Sequence, residues 1–346
     1  MLEKGSRAVL VKKRIFSTLF ILLLFFCQND PVYTGDRDIE EQESVWQYLK
    51  TYSIYQERVP ENPFMFEDAK SLFRPINDSP YTWYPESLYI GSQAALYGEH
   101  GFGGEIVKLD TITNATALLS ISEFVPQTYT EFKQCLPELE RFSNVIIDLR
   151  GNGGGHLWVT DSIIECILPE HCGYIMTEYR EYDSGEKRGY TVEWDTLWTV
   201  RPVHPAFAGK KFAVLMNGYT ASASEILASA LKDCASAYLV GDTSYGKGIG
   251  QVHIPRRGRA MLSITFMKIA SVNKGNYHGV GIAPDPIPDS IRVMGVFASD
   301  SSLYFAAKLL DPTVRPLDVR KFSYLHKSSV LHQGAFIQSE PDPLGF

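Results

Sequence analysis

The sequence predicts an α/β fold preceded by a small N-terminal helical segment. Between residues 105 and 310, short apolar runs alternate with stretches whose apolar residues recur at helical spacing. This alternation is typical of proteins in which helices cover a largely parallel sheet. Residues 44–56 place four apolar side chains at positions that share one helical face, which predicts an amphipathic helix before the α/β region.

The predicted elements follow the chain in order. Strands are predicted at residues 105–109, 116–121, 144–149, 174–179, 190–194, 211–216, 237–240, 251–254 and 261–269. Helices are predicted at residues 44–56, 65–73, 130–141, 156–168 and 302–310, with a further helix after the strand at 211–216. The strands at 174–179 and 190–194 flank an Asp-Ser-Gly turn and predict a hairpin.

Length and charge limit the classes of protein. A chain of 346 residues can bury a full core and hold more than one domain. The formal net charge of −7 argues against a nucleic-acid partner. We expect four regions. Residues 1–27 form a signal-type or lipoprotein-type segment and residues 28–85 an N-terminal helical region. Residues 86–312 form the main folded core and residues 313–346 a C-terminal tail.

The N-terminus has the pattern of an export signal. Three basic residues precede an apolar run at 15–26, which is too short to span a bilayer comfortably. Cys27 follows directly and predicts lipidation, membrane attachment and a place in the bacterial periplasm or cell envelope. Phe26 is bulkier than signal peptidases prefer, so an uncleaved anchor and a simple secretion signal remain alternatives.

Four further cysteines acquire meaning if the chain is exported, because disulfides persist in oxidising compartments. Cys166 and Cys172 could close a short loop, which would leave Cys135 and Cys234 as the second pair. Four reduced, buried thiols are the alternative. None of the cysteines has metal-ligand spacing, so no metal site is predicted.

The most informative stretch is residues 218–251, where an apolar strand leads through a turn of small residues into a helix. Ser222 and Ser224 lie near the start of that helix, where backbone N–H groups favour developing negative charge. A hydroxyl there is a candidate nucleophile if another group takes its proton. Lys247 can do so if burial disfavours its charged form.

A nucleotide site is the competing interpretation of this stretch. Residues 241–248, GDTSYGKG, almost match the phosphate-loop pattern, but Gly248 lacks the hydroxyl that would bind Mg²⁺. The following residues predict a strand rather than the helix that a phosphate loop requires. We therefore predict no nucleotide and no other cofactor.

Two segments resemble the C-terminal processing (tail-specific) peptidases, a serine–lysine family. Residues 220–226, TASASEI, and 245–251, YGKGIGQ, are similar to that family's S-A-S-A-S-E-I and F-G-K-G-x-x-Q segments, with the same interval between them. The resemblance implies a crotonase-like or ClpP-like core of ββα units. It implies that Ser222 is the nucleophile, Lys247 its base and Gln251 a residue that orients the lysine. Asp233 matches an acidic residue that supports activity in the family.

Two more segments extend the resemblance over about residues 115–290. Residues 144–155, NVIIDLRGNGGG, are similar to the family's V-I-I-D-L-R-N-N-P-G-G, although Gly151 and Gly153 replace Asn and Pro. This similarity implies an oxyanion hole formed by the Gly154 amide and an amide of the nucleophile turn, at Ala223. Residues 279–285, GVGIAPD, are similar to the family's G-x-G-I-x-P-D.

The chain also departs from the family. Members commonly carry a PDZ domain, which captures a free C-terminal carboxylate, just after a D-P-Y-T-x-Y turn. Residues 77–84, NDSPYTWY, resemble that turn, but only about thirty residues separate it from the strand at 116–121. They include the glycine-rich piece 98–104, and no PDZ domain fits there.

Other side chains could take the same roles. Ser224 is an alternative nucleophile, although its place inside the helix favours a structural hydrogen bond. A Ser-His-Asp triad is conceivable with a histidine as base, the candidates being His156, His253 and His278. Asp148 is expected to hold the glycine turn, and Arg150 to pair with a carboxylate.

The function implied by the resemblance is that of an exported serine endopeptidase. Its expected substrates are proteins or peptides with apolar C-terminal segments, cleaved through an acyl-enzyme. A non-catalytic protein that binds apolar ligands or peptides is the alternative, because retinoid carriers of the interphotoreceptor space resemble the same fold.

Overall fold

The structure is a computed structural model that describes residues 37–76, 81–82, 105–183, 185–256, 259–295, 298–316 and 318–319. The predicted leader segment with Cys27, the glycine-rich piece at 98–104 and most of the predicted C-terminal tail lie outside these residues. Within the described residues no helix is both long and apolar enough to cross a bilayer.

The described residues form two compact units, each assembled from three separate stretches of chain. The first unit draws on residues 1–103, 169–202 and 247–279, and the second on residues 104–168, 203–246 and 280–346. The predicted α/β class is confirmed, since both units combine strands with helices.

The second unit is built on a five-stranded sheet. Its strands are β1 (Val107–Thr111), β2 (Thr116–Ile121), β3 (Asn144–Asp148), β6 (Lys211–Met216) and β7 (Tyr238–Gly241). Their spatial order is β1-β2-β3-β6-β7. Only the β1–β2 pair in this sheet is antiparallel, and the other pairs are parallel. The first four residues of β3 are all buried, as expected for a parallel strand covered on both faces.

The described part of the second unit contains five helices. They are α2 (Pro126–Leu139), α3 (Leu157–Ile167), α4 (Ala223–Ala235), α5 (Asp289–Gly295) and α6 (Ser301–Leu310). Helix α6 packs its apolar face, which includes Leu303 and Leu310, against sheet residues such as Leu118, Ile146 and Leu215. Helices α2, α3 and α4 pack side by side, and α4 also contacts β6 and β7.

The first unit contains a four-stranded antiparallel sheet. Its strands are β4 (Gly173–Asp183), β5 (Arg188–Trp198), β8 (Ile249–Arg256) and β9 (Arg259–Ala270), in the order β5-β4-β9-β8. Helix α1 (Arg37–Tyr52) is followed by the 3₁₀ turns Gln56–Arg58, Pro63–Met65 and Lys70–Phe73. Apolar residues of α1 and these turns, including Val45 and Leu72, pack on Val252 and Ile264 of the sheet.

Several predicted elements match the structure closely. The strands at 116–121 and 211–216 have the predicted bounds, and the predicted hairpin is present with both strands extended to eleven residues. Helix α2 begins at Pro126 rather than at residue 130, because proline is well suited to the first helical position.

Two helical regions differ from prediction. The helix expected at 65–73 is wrong, since that region holds two separate 3₁₀ turns, the first beginning at Pro63. The short helix α5 was not expected, because its seven residues carry little periodicity.

The predicted disulfide pairing is also wrong. Cys135 and Cys166 are free thiols, whereas Cys172 and Cys234 are disulfide-bonded. Neither the proposed short loop between Cys166 and Cys172 nor the pair of Cys135 with Cys234 therefore forms. The alternative of four reduced thiols is excluded as well.

A buried ion cluster links the end of β3 to α6 within the second unit. Arg150 donates to Asp148 through Nε and Nη2, at 2.9 and 2.6 Å, and to Asp300 through Nη1, at 2.9 Å. All three side chains are at most 11 % exposed. Burial alone would lower the pKa of Arg150, but the hydrogen bonds and charges of the two aspartates raise it above its ordinary value. The predicted carboxylate partner of Arg150 is thus confirmed.

We expect Asp300→Asn to lower the free energy of unfolding by about 3 kcal/mol, because it leaves a buried guanidinium with one carboxylate fewer. Asparagine retains the ability to cap α6 at Leu303 N, so the loss reports mainly on charge. Urea unfolding should show the difference. The matched control, Asp318→Asn, removes a more exposed pair with Arg315 and should cost less than about 1 kcal/mol. Equal losses would contradict the assigned role of the cluster.

Candidate active site

Ser222 lies in a strained turn between β6 and α4. Its backbone has φ 56° and ψ −118°, a positive-φ conformation that non-glycine residues rarely adopt. Every other residue from Thr220 to Leu231 is buried, so Ser222 is the one point in this segment that reaches the surface. Strain of this kind costs about 1–3 kcal/mol and is common at functional sites.

Glu225 holds this turn from below. Its carboxylate is fully buried, and Oε2 accepts the Ser222 N–H at 2.8 Å. Oε1 accepts the Ser244 hydroxyl at 2.6 Å and the Gly246 N–H at 2.7 Å. The Ser244 oxygen in turn accepts the Ile282 N–H at 2.7 Å. Glu225 therefore fixes the turn at Ser222 and the loop whose next residue is Lys247.

The sequence analysis did not assign a role to Glu225. A detectable signal exists, because Ser222 and Glu225 have the S-x-x-E spacing of a capping box at the start of a helix. The structure shows the half of that motif in which the glutamate accepts the backbone N–H of the first residue.

The glycine turn after β3 packs directly against the nucleophile turn. β3 and β6 are parallel neighbours, so the segments that follow them meet at one edge of the sheet. Gly154 has φ 103°, and a Cβ there would lie 2.8 Å from both Ala221 O and Ser222 Cβ. Only glycine permits this approach.

Asn152 joins the two turns and was not singled out from the sequence. It is fully buried, and its backbone oxygen accepts the Ala221 N–H at 3.0 Å and the Ser224 hydroxyl at 2.9 Å. Ser224 is thus buried with its hydroxyl in a structural hydrogen bond, whereas Ser222 is partly exposed.

The two predicted oxyanion donors differ in their hydrogen bonding. The Gly154 N–H donates to Asn152 Oδ1 at 2.9 Å, so this N–H already has a hydrogen-bond acceptor within the protein. Ala223 is the first residue of α4, and an N–H at that position has no partner within the helix. The positive end of the helix dipole adds to its attraction for negative charge.

We expect Gly154→Ala to lower the free energy of unfolding by about 2 kcal/mol or more, because the added methyl group meets backbone atoms of the nucleophile turn. Gly153→Ala, in the same turn, is the matched control. A Cβ at Gly153 meets nothing within 4 Å, so its effect should stay below about 0.5 kcal/mol. Thermal unfolding of both variants measures this, and equal destabilisation would refute the close approach.

Asp233 lies far from Ser222 in the same helix. Eleven residues of helix separate them, which corresponds to about 16 Å along the helix axis. A direct contact between the two side chains is therefore excluded. The supporting role of Asp233 stays a prediction, and any such role must act through other residues.

Lys247 and Gln251 belong to the first unit, as do Tyr81 and Thr82. The Lys247 ammonium lies 5.6 Å from the centre of the Tyr81 ring. Gln251 Nε2 donates to Thr265 Oγ1 at 3.3 Å, and the Thr82 hydroxyl donates to the same oxygen at 3.0 Å. The turn that resembles D-P-Y-T-x-Y thus provides contacts for the lysine and, through Thr265, for the glutamine.

The three histidines lie in different surroundings. His156 precedes α3 beside the Trp158 ring, and burial lowers its pKa below the ordinary value. His253 is exposed on β8. His278 packs against Tyr81, with ring centres 5.9 Å apart.

The segment 279–285 also has a clear structural role. Asp285 accepts the Lys232 ammonium at 2.7 Å and the Leu239 N–H at 2.8 Å, and so fastens the chain to α4 and β7. Gly281, at φ 84°, passes so close to Ser244 that a Cβ would lie 2.2 Å from its carbonyl oxygen. This motif therefore braces the loop before Lys247.

Comparison with known proteins identifies the family. The model of peptidase family S41 matches residues 115–287, which is half of the chain. The carboxy-terminal processing protease CtpB of Bacillus subtilis is 33% identical over 173 residues, covering 49% of this chain and 33% of that protein. A carboxyl-terminal-processing protease of Synechocystis is 33% identical over 171 residues, covering 49% and 37%. The chain thus spans about a third of the length of these relatives.

Two solved structures share the fold over most of the chain. A lipoprotein from Streptococcus agalactiae gives a TM-score of 0.52 at 12% identity, covering 82% of this chain and 100% of that one. A candidate S41 protease from Bacteroides fragilis gives 0.50 at 11% identity, covering 87% and 100%. The predicted resemblance to serine peptidases that process C-termini is confirmed at the level of family and fold. This chain belongs to peptidase family S41, a family of serine-type peptidases.

Proposed function

We propose that this chain is a serine endopeptidase in which Ser222 is the nucleophile and Lys247 the general base. The observation that carries the proposal is the strained, surface-reaching Ser222 at the start of α4, pressed against the glycine turn at Gly154. A reactive hydroxyl in such a position is exposed to substrate and lies beside the positive end of a helix.

The proposed reaction uses groups of this chain alone. The neutral amine of Lys247 takes the proton as Ser222 Oγ attacks the peptide carbonyl carbon, and the oxygen becomes an oxyanion. The Ala223 N–H stabilises that charge, and the Gly154 N–H joins it if it exchanges Asn152 Oδ1 for the oxyanion. Lys247 then protonates the leaving amine, and water hydrolyses the acyl-enzyme.

Gln251 is proposed to orient Lys247. Its hydrogen bond to Thr265 supports a fixed position for Gln251 in the first unit. Tyr81 adds a second contact for the lysine side chain. The face of an aromatic ring attracts a cation. In the proposed reaction Lys247 must therefore become neutral while its side chain keeps its position beside Tyr81. Asp233 is retained as a supporting residue that acts at a distance.

The proposed substrates are polypeptides with apolar C-terminal segments, in keeping with the names of the carboxy-terminal processing relatives. We further propose that the protein is exported to the bacterial periplasm or cell envelope, with lipid attachment through Cys27. The basic residues and short apolar run before Cys27 support export.

The test is cleavage of an unstructured protein that ends in an apolar segment, followed by mass spectrometry of the products at several times. The proposal expects defined internal cuts and a burst of one product as the acyl-enzyme accumulates. Purified Ser222→Ala protein is the control for contaminating proteases. If the wild-type chain gives no cleavage while binding the same polypeptide, the non-catalytic binding protein is the better description.

A further inference from the structure

The first unit contains an open cleft between the last turn of α1 and the hairpin formed by β4 and β5. Its volume is about 550 Å³, within the usual range for ligand sites. Four basic residues line it, at positions 50, 180, 187 and 188, and none of its described lining residues is acidic. This concentration of positive charge stands out in a chain whose net charge is −7.

Arg180 is the most unusual residue of the cleft. It is only 3 % exposed. Its Nη1 donates to Thr191 Oγ1 at 3.0 Å, and its Nη2 donates to the Lys50 carbonyl at 3.2 Å. Its Nε is buried and has no hydrogen-bond partner among the described residues. Burial lowers the pKa of this guanidinium, with no neighbouring carboxylate to offset the effect.

Buried charges in proteins are normally paired, because an unpaired one loses its hydration without compensation. The structure describes no salt bridge to Arg180, so a ligand is the natural source of the missing negative charge. Gly189 closes the wall beside it. A Cβ there would lie 2.0 Å from the Thr51 carbonyl oxygen and 2.8 Å from Arg180 Nη2, so the hairpin can approach α1 only with glycine.

The other three basic residues of the cleft lie at its rim, where a ligand can reach them. Within the described residues Lys50 pairs with Glu61, whose side chain is 98 % exposed, and Arg188 pairs with Glu186, also at the surface. Such exposed pairs contribute little and exchange readily with a ligand. Lys187 is exposed in the hairpin turn and pairs with no acidic residue in the described part of the chain.

We propose that this cleft binds the C-terminal carboxylate of a polypeptide. A guanidinium with no carboxylate partner among the described residues, together with the rim cations, suits a carboxylate by charge, and the cleft is larger than a lone inorganic anion needs. β5 and β8 are separated by two strands, so they lie about 14 Å apart across the sheet. A polypeptide held by its end in the cleft needs at least about four extended residues to reach the strand that carries Gln251. The choice of a polypeptide rests on the proposed function, whereas the anion site does not.

Binding can be measured without any cleavage, which separates this proposal from the catalytic one. The full chain carrying Ser222→Ala is titrated with a fluorescent eight-residue apolar peptide, either as the free acid or as the C-terminal amide. We expect the acid to bind at least about tenfold more tightly than the amide. In the double variant Lys187→Ala/Arg188→Ala, the free-acid peptide should bind only as tightly as the amide peptide.

The matched control removes two exposed charges elsewhere in the same unit, as Arg74→Ala/Lys274→Ala, and should leave both affinities unchanged. Arg180→Lys, checked by thermal melting for folding, should also weaken binding of the acid while keeping the charge. Equal binding of acid and amide, or equal loss in the control, overturns the proposal. Inorganic phosphate binding that depends on Lys187 and Arg188 without any preference for the acid overturns the polypeptide assignment.

Discussion

Ser222→Ala is expected to lower kcat/KM for polypeptide cleavage by at least about 10⁴-fold, because it removes the proposed nucleophile and the neighbouring hydroxyls of Thr220 and Ser224 are buried. Lys247→Ala should produce a comparable loss. Lys247→Arg is the sharper variant. Arginine keeps a positive charge over the Tyr81 ring but cannot be deprotonated, so it should be as inactive as alanine.

The pH profile provides a second measurement of the same assignment. The proposed reaction needs the neutral amine of Lys247, so under that proposal the wild-type rate should rise with pH. Lys274→Ala, at an exposed position of the same unit, is the control and should retain full activity. Activity that survives Ser222→Ala but disappears in Ser224→Ala would move the nucleophile. Activity in Lys247→Arg would eliminate the lysine as base.

Glu225→Gln is expected to lower kcat by about 10²-fold with little change in KM, because the residue positions Ser222 without touching substrate. Donors from Ser222, Ser244 and Gly246 point at the carboxylate oxygens of Glu225. An amide group placed there turns one acceptor into a donor, whichever way it is oriented. One buried N–H then loses its partner, and the free energy of unfolding should fall by about 2 kcal/mol.

Ser244→Ala tests the same network from its other end. It removes the hydroxyl that donates to Glu225 and accepts from Ile282 N–H, and kcat should fall again. Ser229→Ala is the matched control, since Ser229 is equally buried in α4 but bonds only to its own helix at Ile226. If Ser229→Ala and Ser244→Ala lower kcat alike, Glu225 and Ser244 have no special positioning role.

Much of the fold could be predicted because its signals are local. β2 and β6 are uninterrupted apolar runs bounded by polar or small residues, and such runs locate buried strands well. Ser222, Gly154 and Lys247 were proposed as site residues because their motifs carry unusual combinations of glycine, serine and lysine. The adjacency of Ser222 and Gly154 follows from the parallel pairing of β3 with β6.

The remaining features depend on contacts between distant parts of the chain. Nothing local shows that the Gly154 N–H is taken by Asn152, or that Arg180 is buried without a carboxylate. Glutamate is a residue type expected on the exposed face of a helix. Glu225 is nevertheless fully buried, because Ser244 and Gly246 donate hydrogen bonds to its carboxylate. Cysteine spacing cannot reveal pairing either, since Cys166 is a free thiol although Cys172, six positions later, is disulfide-bonded.

The interleaving of the two units has a consequence for biosynthesis. Each unit needs three stretches of chain, and the last strand of the first unit, β9, ends at Ala270. Because a ribosome adds residues one by one from the N-terminus, at about 5–20 residues per second, both units lack segments until most of the chain has been made. Ser222 is also synthesised before Lys247. A nascent or prematurely terminated product that ends between them would hold the proposed nucleophile without its base, and so could not attack other proteins in the cell that makes it.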